Sequence, residues 1–202
     1  MQSVNMRHML RWRPPQTNCG IVQYSVQFQG EFERLYLNGS WETALDCQQI
    51  SQHECNLTSD LASDSDYNIR VQAECNNRTS SWASLPAPFN RRDTVLLAPV
   101  MSVKVSGDTI QVGFSDLPLS VSVTVDVWRK GNERNVSSHV VTARPSYLSI
   151  TALQEGATYC LRAQAQLETS TRNKSNNTDT QCVSIHTYDN TIQVLPLPHH
   201  SP

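Results

Sequence analysis

Two stretches of the chain repeat one alternating pattern. Tyr67-Asn-Ile-Arg-Val-Gln-Ala73 and Tyr159-Cys-Leu-Arg-Ala-Gln-Ala165 align at an offset of 92 residues (159 − 67), each with a leucine six positions before the tyrosine, Leu61 and Leu153. The apolar positions fall on every second residue and Arg and Gln fall between them, the period of a strand buried on one face. A leucine and a tyrosine set around a polar turn predict a tyrosine corner, whose phenol ties a loop to a sandwich. Earlier strands repeat as well. Val22, Tyr24, Val26 and Phe28 alternate with Gln23, Ser25, Gln27 and Gln29, and Val121, Val123, Val125 and Val127 alternate with Ser122, Thr124 and Asp126. Met6, His8, Leu10 and Trp12 match Ile110, Val112 and Phe114 as the preceding core strand.

Helix has little support, because no apolar stripe of 3.6-residue period persists beyond two turns and the patterned segments are rich in Val, Thr, Tyr and Ile. Short alternating strands separated by Asn, Asp, Gly and Pro turns predict sandwiches. The 202 residues are long enough for two domains of about 100 each. Between the copies, Pro86-Ala-Pro88-Phe89-Asn90-Arg91-Arg92 reads as a short, semi-rigid connector. The expected division is a first domain over 1–88, a linker over 89–94, a second domain over 95–188 and a stalk or tail over 189–202. The fold class is all-β, with two sandwiches in series.

Composition narrows the setting. A net charge of −2 offers no basic footprint, which argues against a nucleic-acid partner. Six Asn-x-Ser/Thr sequons, at Asn38, Asn56, Asn77, Asn135, Asn173 and Asn176, and an even set of six cysteines point to the secretory pathway. Cys160 and Cys182 fall on what would be the neighbouring sixth and seventh strands of the second domain and are expected to clip that hairpin. Cys47 and Cys55, eight residues apart, close a local loop. Elimination leaves Cys19 with Cys75, at the end of the sandwich where the B–C and F–G loops emerge. No secretory leader opens the sequence and no apolar run approaches about 18 residues, the stretch at 192–197 being much too short. Membrane anchoring is therefore expected through a segment outside this chain.

The sequence carries no constellation for catalysis. The sequence has no Gly-x-Ser-x-Gly elbow, no His-Glu-x-x-His and no glycine-rich phosphate loop. His53 near Cys47 and Cys55 lacks the paired Cys-x-x-Cys spacing of a zinc site. Asp60, Asp64 and Asp66 in one loop, and Glu31 and Glu33 in another, read as solvated loop residues, and His199 and His200 as part of the tail. No catalytic residue, metal or cofactor is expected.

The run from Tyr24-Ser-Val-Gln-Phe-Gln-Gly-Glu-Phe-Glu-Arg-Leu-Tyr36 through Cys47, Cys55 and Tyr67-Asn-Ile-Arg-Val-Gln-Ala73 resembles a class II cytokine receptor ectodomain. Ser81-Trp82-Ala-Ser84, Pro88-Phe89-Asn90-Arg91, Gly156-Ala-Thr-Tyr-Cys160 and Gln181-Cys182 continue the match, so it runs from about Val4 to about Thr187. The resemblance implies two tandem fibronectin type III-like sandwiches joined at an elbow, extracellular and membrane-anchored, with a helical cytokine of the interleukin-10 family and a second class II receptor chain as partners. It implies contact through loops 30–41 and 61–66 of the first domain and 115–120 and 167–177 of the second. The expected contacts there are Phe32, Arg34, Leu35, Tyr36, Leu37, Asp64, Leu117, Pro118, Leu119 and Glu168.

The first loop has support of its own. Phe32, Leu35, Tyr36 and Leu37 crowd a predicted turn where polar residues are usual, either as binding anchors or because two of the rings pack inward to order the loop. The sequence departs from the family pattern in having only Met1 to Val4 ahead of the second-strand pattern, so that the usual first strand is expected either to be missing or to lie outside this sequence. It departs again in the polar, twice-sequon-bearing 169–177 loop. Trp82 is expected to stack on Arg70 in a structural role. An adhesion or spacer module, a secreted decoy and a protease cofactor stay open as alternatives.

Overall fold

The computed structural model describes residues 1–186; the tail expected over 189–202, with His199 and His200 and the apolar run at 192–197, lies outside the described residues. The first domain contributes β1 (Gln2–Val4), β2 (Arg7–Arg11), β3 (Gln23–Gln29), the short helix α1 (Glu31–Tyr36), β4 (Glu42–Thr43), β5 (Glu54–Asn56), β6 (Asn68–Cys75), β7 (Arg78–Thr79) and β8 (Ala83–Ser84). The second contributes β9 (Met101–Ser106), β10 (Thr109–Phe114), β11 (Val121–Arg129), β12 (Val136–Val141), β13 (Tyr147–Ile150), β14 (Thr158–Leu167) and β15 (Gln181–Ser184).

Each domain is a pair of antiparallel sheets closed over its own core. In the first, β1-β2-β5 faces β4-β3-β6-β7, with β8 also paired to β6; in the second, β13-β10-β9 faces β12-β11-β14-β15. The alternating residues point where their period requires. Leu10, Val26, Leu57, Leu61, Tyr67 and Ile69 form one core, and Ile110, Val112, Val121, Val123, Val125, Leu161 and Leu167 form the other. Both tyrosine corners are present. The Tyr67 phenol oxygen accepts from the Ser63 amide at 3.2 Å and shares a 2.7 Å hydrogen bond with the Ser63 hydroxyl, while the Tyr159 phenol accepts from the Gln154 amide at 3.0 Å. The disulfides are Cys19–Cys75, Cys47–Cys55 and Cys160–Cys182, as placed from the sequence. Cys47 and Cys55 are thus joined to each other, and neither thiolate is free to form a zinc site with His53.

Two local expectations are corrected. A first strand is present: β1 is three residues long and pairs with β2 in the register Val4↔Arg7. The turn between them is only Asn5 and Met6, both with positive φ (49° and 63°), the two-residue geometry that suits the twist of paired strands. Asn tolerates that region; Met carries a Cβ penalty there, so surrounding contacts must hold it. They come from the linker and the first residues of the second domain. The Asn5 amide donates to the Val95 carbonyl at 2.8 Å, the Val95 amide to the Ser3 carbonyl at 2.9 Å, and the Met6 amide to Thr94 Oγ1 at 3.0 Å. The Leu97 amide donates to Asn5 Oδ1 at 2.9 Å, and the Met6 side chain packs against the core of the second domain.

The second correction is α1, where a turn without helix was expected. Glu31 and Glu33 favour the positive end of a helix, and the Glu33 carboxylate accepts from the Gly30 amide at 2.8 Å. Gly30 is needed for space: a Cβ there would stand 3.1 Å from Glu33 Oε2, Ser65 Oγ and Tyr67 Cε1.

The expected Trp82–Arg70 stack is half of a larger one. The Arg70 guanidinium lies 4.1 Å from the Trp82 ring centre and 3.9 Å from that of Trp41, and both Nε and Nη2 donate to Gln27 Oε1. The sandwich of rings ties loop 30–41 to β6 and β8. Arg70→Met keeps the stem but loses both cation–π contacts, and we expect a loss of about 1–2 kcal/mol, read from the urea midpoint of unfolding.

Candidate functional site

The 30–41 segment is built so that its apolar residues face outward. Gln29 is buried, and its Nε2 donates to the carbonyls of Gly39 and Ser40, while its Oε1 accepts from Asn68. The Gly39 amide donates to the Glu33 carbonyl, closing the helix through left-handed Asn38 and Gly39. The polar and backbone groups therefore hold the segment in place. Phe32, Leu35 and Tyr36 are left 60%, 71% and 75% exposed, with Leu37 beside them, and the Phe32 and Tyr36 rings stack 5.6 Å apart. Neither aromatic packs inward to order the loop. A contiguous apolar patch of this kind is the sort of surface that interaction sites use.

Arg34 turns the other way. Its Nη1 donates to the Asp66 carbonyl at 2.9 Å, which anchors α1 to loop 61–66. Asp64 is engaged too, since its Oδ1 accepts from Arg91 Nε in the linker at 2.5 Å with both side chains largely covered. The hydrogen bond from Arg91 is the strongest influence on this carboxyl. With the charges of Arg91 and Arg92 and a hydrogen bond from Thr169, it outweighs partial burial and holds the pKa below the ordinary aspartate value. Asp66 Oδ1 accepts from the buried Asn90 amide at 3.1 Å.

The second domain joins the same chain of contacts. Asn173 donates to the carbonyls of Arg92 and Thr94, fastening loop 167–177 to the linker. The Glu168 amide donates to the Ser120 carbonyl at 3.0 Å, fastening that loop in turn to loop 115–120. Leu117 packs on the core and Pro118 is half-buried, its carbonyl accepting from Val121. Leu119 is 67% exposed and Glu168 is exposed. Unbroken contacts therefore run from α1 through 61–66 and the linker to 167–177 and 115–120. Of the ten residues singled out from the sequence, Phe32, Leu35, Tyr36, Leu37, Leu119 and Glu168 are presented to solvent. Arg34, Asp64, Leu117 and Pro118 hold the frame.

Other residues at this junction were legible in the sequence only as strand or connector positions, with no sign of their contacts. Buried His8 shares a 2.6 Å hydrogen bond with Ser3 Oγ, which donates to Thr94 Oγ1 at 2.7 Å, and its ring meets Phe89 edge-on at 5.2 Å. Burial, and then the charge of Arg91, push the His8 imidazole below its ordinary pKa. For Asp64 and Asp66 a signal did exist, because the basic pair Arg91-Arg92 complements this acidic loop.

Comparison with known proteins follows the two sandwiches. The tissue factor family model matches residues 1–82, and the interferon-alpha/beta receptor fibronectin type III model matches residues 94–186. Along both sandwiches the chain resembles class II cytokine receptor ectodomains. It is 33% identical over 185 residues to human interleukin-20 receptor subunit beta, a match that takes in 91% of this chain and 58% of that subunit. Human interleukin-10 receptor subunit beta is 23% identical, over 95% of this chain and again 58% of the relative, so the chain spans less than two thirds of either. The structure of the chicken interferon gamma receptor alpha chain shares the fold, with a TM-score of 0.70 over 92% of this chain and 95% of that one at 20% identity. No helix among the described residues is long and apolar enough to cross a membrane.

His8 gives the junction a pH dependence whose sign is fixed. Its folded pKa lies below the unfolded value of 6.5, so the unfolded chain takes up the proton first. The stability tied to neutral His8 is complete above about pH 6.5 and is lost as pH falls below it. Asp64 acts in a separate, more acid window, below its ordinary value of 3.8. We expect the urea midpoint to fall between about pH 7.5 and pH 5.5, and this slope to flatten in His8→Gln.

Proposed function

We propose that this chain is the extracellular, cytokine-binding part of a class II receptor chain. It grips a helical interleukin-10-family cytokine, of the interleukin-19, -20 or -24 kind, at the junction of its two sandwiches and pairs with a second class II receptor chain to signal. The observation that carries this reading is the set of exposed Phe32, Leu35, Tyr36 and Leu37 side chains, continuous through hydrogen-bonded loops with exposed Leu119 of the other domain. Rigid aromatic and aliphatic anchors inside a polar rim are how protein interfaces concentrate their affinity. A helical ligand lying in the bend would meet α1 on one side and the 115–120 and 167–177 loops on the other. The receptor chain would be anchored in the plasma membrane. The family relationship supports both the extracellular setting and the pairing with another chain. An adhesion spacer has no use for an apolar cluster at one bend, and no observation favours that reading.

Binding to a panel of helical interleukin-10-family cytokines, measured by surface plasmon resonance, tests the proposal. We expect at least one cytokine to bind, Tyr36→Ala to weaken it by about 2 kcal/mol or roughly 30-fold, and Leu119→Ala to weaken it by about 1 kcal/mol. Unchanged affinity in both variants would reject the elbow surface. Absence of binding to every cytokine by correctly folded protein would reject the function.

A further inference from the structure

We propose that the glycan of loop 167–177 is carried on Asn176, and that Asn173, although it heads a sequon of its own, stays bare and uses its side-chain amide to clamp the two domains together. This requires passage through the secretory pathway but not any particular cytokine. Asn173-Lys-Ser175 and Asn176-Asn-Thr178 both fit the acceptor pattern. The fold treats them differently. Asn173 is half-buried, and its Nδ2 donates to two main-chain carbonyls of the linker, Arg92 at 2.9 Å and Thr94 at 2.6 Å. An amide nitrogen has two hydrogens, so both are in use. The Asn173 backbone is committed as well: its amide donates to the Ser170 carbonyl at 3.1 Å and its carbonyl accepts from Leu167 at 3.2 Å. The hydroxyl of each sequon is engaged, buried Ser175 Oγ accepting from the Ala165 amide at 2.9 Å and donating to the Asn176 carbonyl at 2.8 Å, and half-buried Thr178 Oγ1 accepting from the Ala163 amide at 2.9 Å, so the difference lies in the two asparagine side chains. Asn176 is exposed, and its side chain makes no hydrogen bond among the described residues.

N-glycosylation joins Nδ2 to the anomeric carbon of an oligosaccharide held on a lipid pyrophosphate. The carbon–oxygen bond to pyrophosphate breaks, the pyrophosphate leaves with the electron pair, and Nδ2 gives up one proton. A glycosylated Asn173 would keep one N–H for two carbonyls, so one linker carbonyl would lose its donor and the sugar would stand where the linker runs. A glycosylated Asn176 leaves every one of these bonds in place. Asn173 is therefore a positioning residue. It holds the linker from the second domain while β1 holds it from the first.

The test is to secrete the chain from mammalian cells behind a signal peptide and remove N-glycans enzymatically in oxygen-18 water. Each formerly glycosylated asparagine then becomes a labelled aspartate, which fragment ions of a chymotryptic peptide can locate. We expect label at Asn176 and none at Asn173. Label at Asn173 in folded protein, or its absence from Asn176, overturns the assignment. The clamp is tested separately by hydrogen exchange at the Met6 and Val95 amides, whose bonds to Thr94 and Ser3 cross the junction. Asn173→Asp, which faces two carbonyls with acceptors in place of donors, should speed their exchange by about tenfold. Asn176→Gln should leave it unchanged. Equal rates in wild type and Asn173→Asp overturn the clamp.

Discussion

The junction depends on a two-residue turn. Asn5 and Met6 reverse the chain in the left-handed region, which places the Met6 side chain against the core of the second sandwich and exposes the edge of β1 to the linker. Val95 then runs parallel to Val4, and Thr94 gathers hydrogen bonds from Ser3 and Met6. A methionine with positive φ is unfavourable by itself, and its persistence is explained by contacts from both sides. Those contacts link two cores that would otherwise be beads on a flexible string. Every feature of the candidate site builds on that link, because loops from different domains can form one surface only if the domains keep one relative orientation.

The surface itself is held from behind. Glu33 caps α1, Arg34 ties it to loop 61–66, and Gln29 and Asn68 secure the chain beneath it. A helix of six residues is far below the length that is stable alone in water, so these bonds supply its order. None of them uses Phe32, Leu35, Tyr36 or Leu37. The outward side chains are thus free to meet a partner without disturbing what positions them. Preordering of this kind lowers the entropic cost of association, the usual reason a modest contact area can give high affinity.

The legible part of the fold was the part with a strict period. The strands around Val26, Ile110, Val125, Ile69 and Leu161 alternate over enough residues to declare their buried faces, and Leu61 with Tyr67 announces a corner by chemistry as well as spacing. The cysteines were readable once the strands were placed. What escaped was short or non-local. Six residues of α1 cover less than two turns and leave no stripe, and β1 has three residues and a turn lacking glycine. The Trp41 side of the Arg70 stack, the His8–Ser3–Thr94 bonds and the Asn173 clamp join positions far apart in sequence, where no period exists. In the candidate site, the apolar excess of loop 30–41 was visible because it breaks the rule that turns are polar. Asp64 and Arg34 looked like surface charges for the same reason that misled: sequence reports charge, but not whether Arg91 or a carbonyl already satisfies it.

The central claim is that the two sandwiches of the free chain form one rigid body at the Met6–Thr94 junction, so that α1 and loop 115–120 face one ligand together. Residual dipolar couplings of backbone amides in the unliganded chain test this directly. The account predicts that couplings from both domains fit a single alignment tensor. Two tensors of different magnitude, one per domain, would show the sandwiches moving independently and would contradict it.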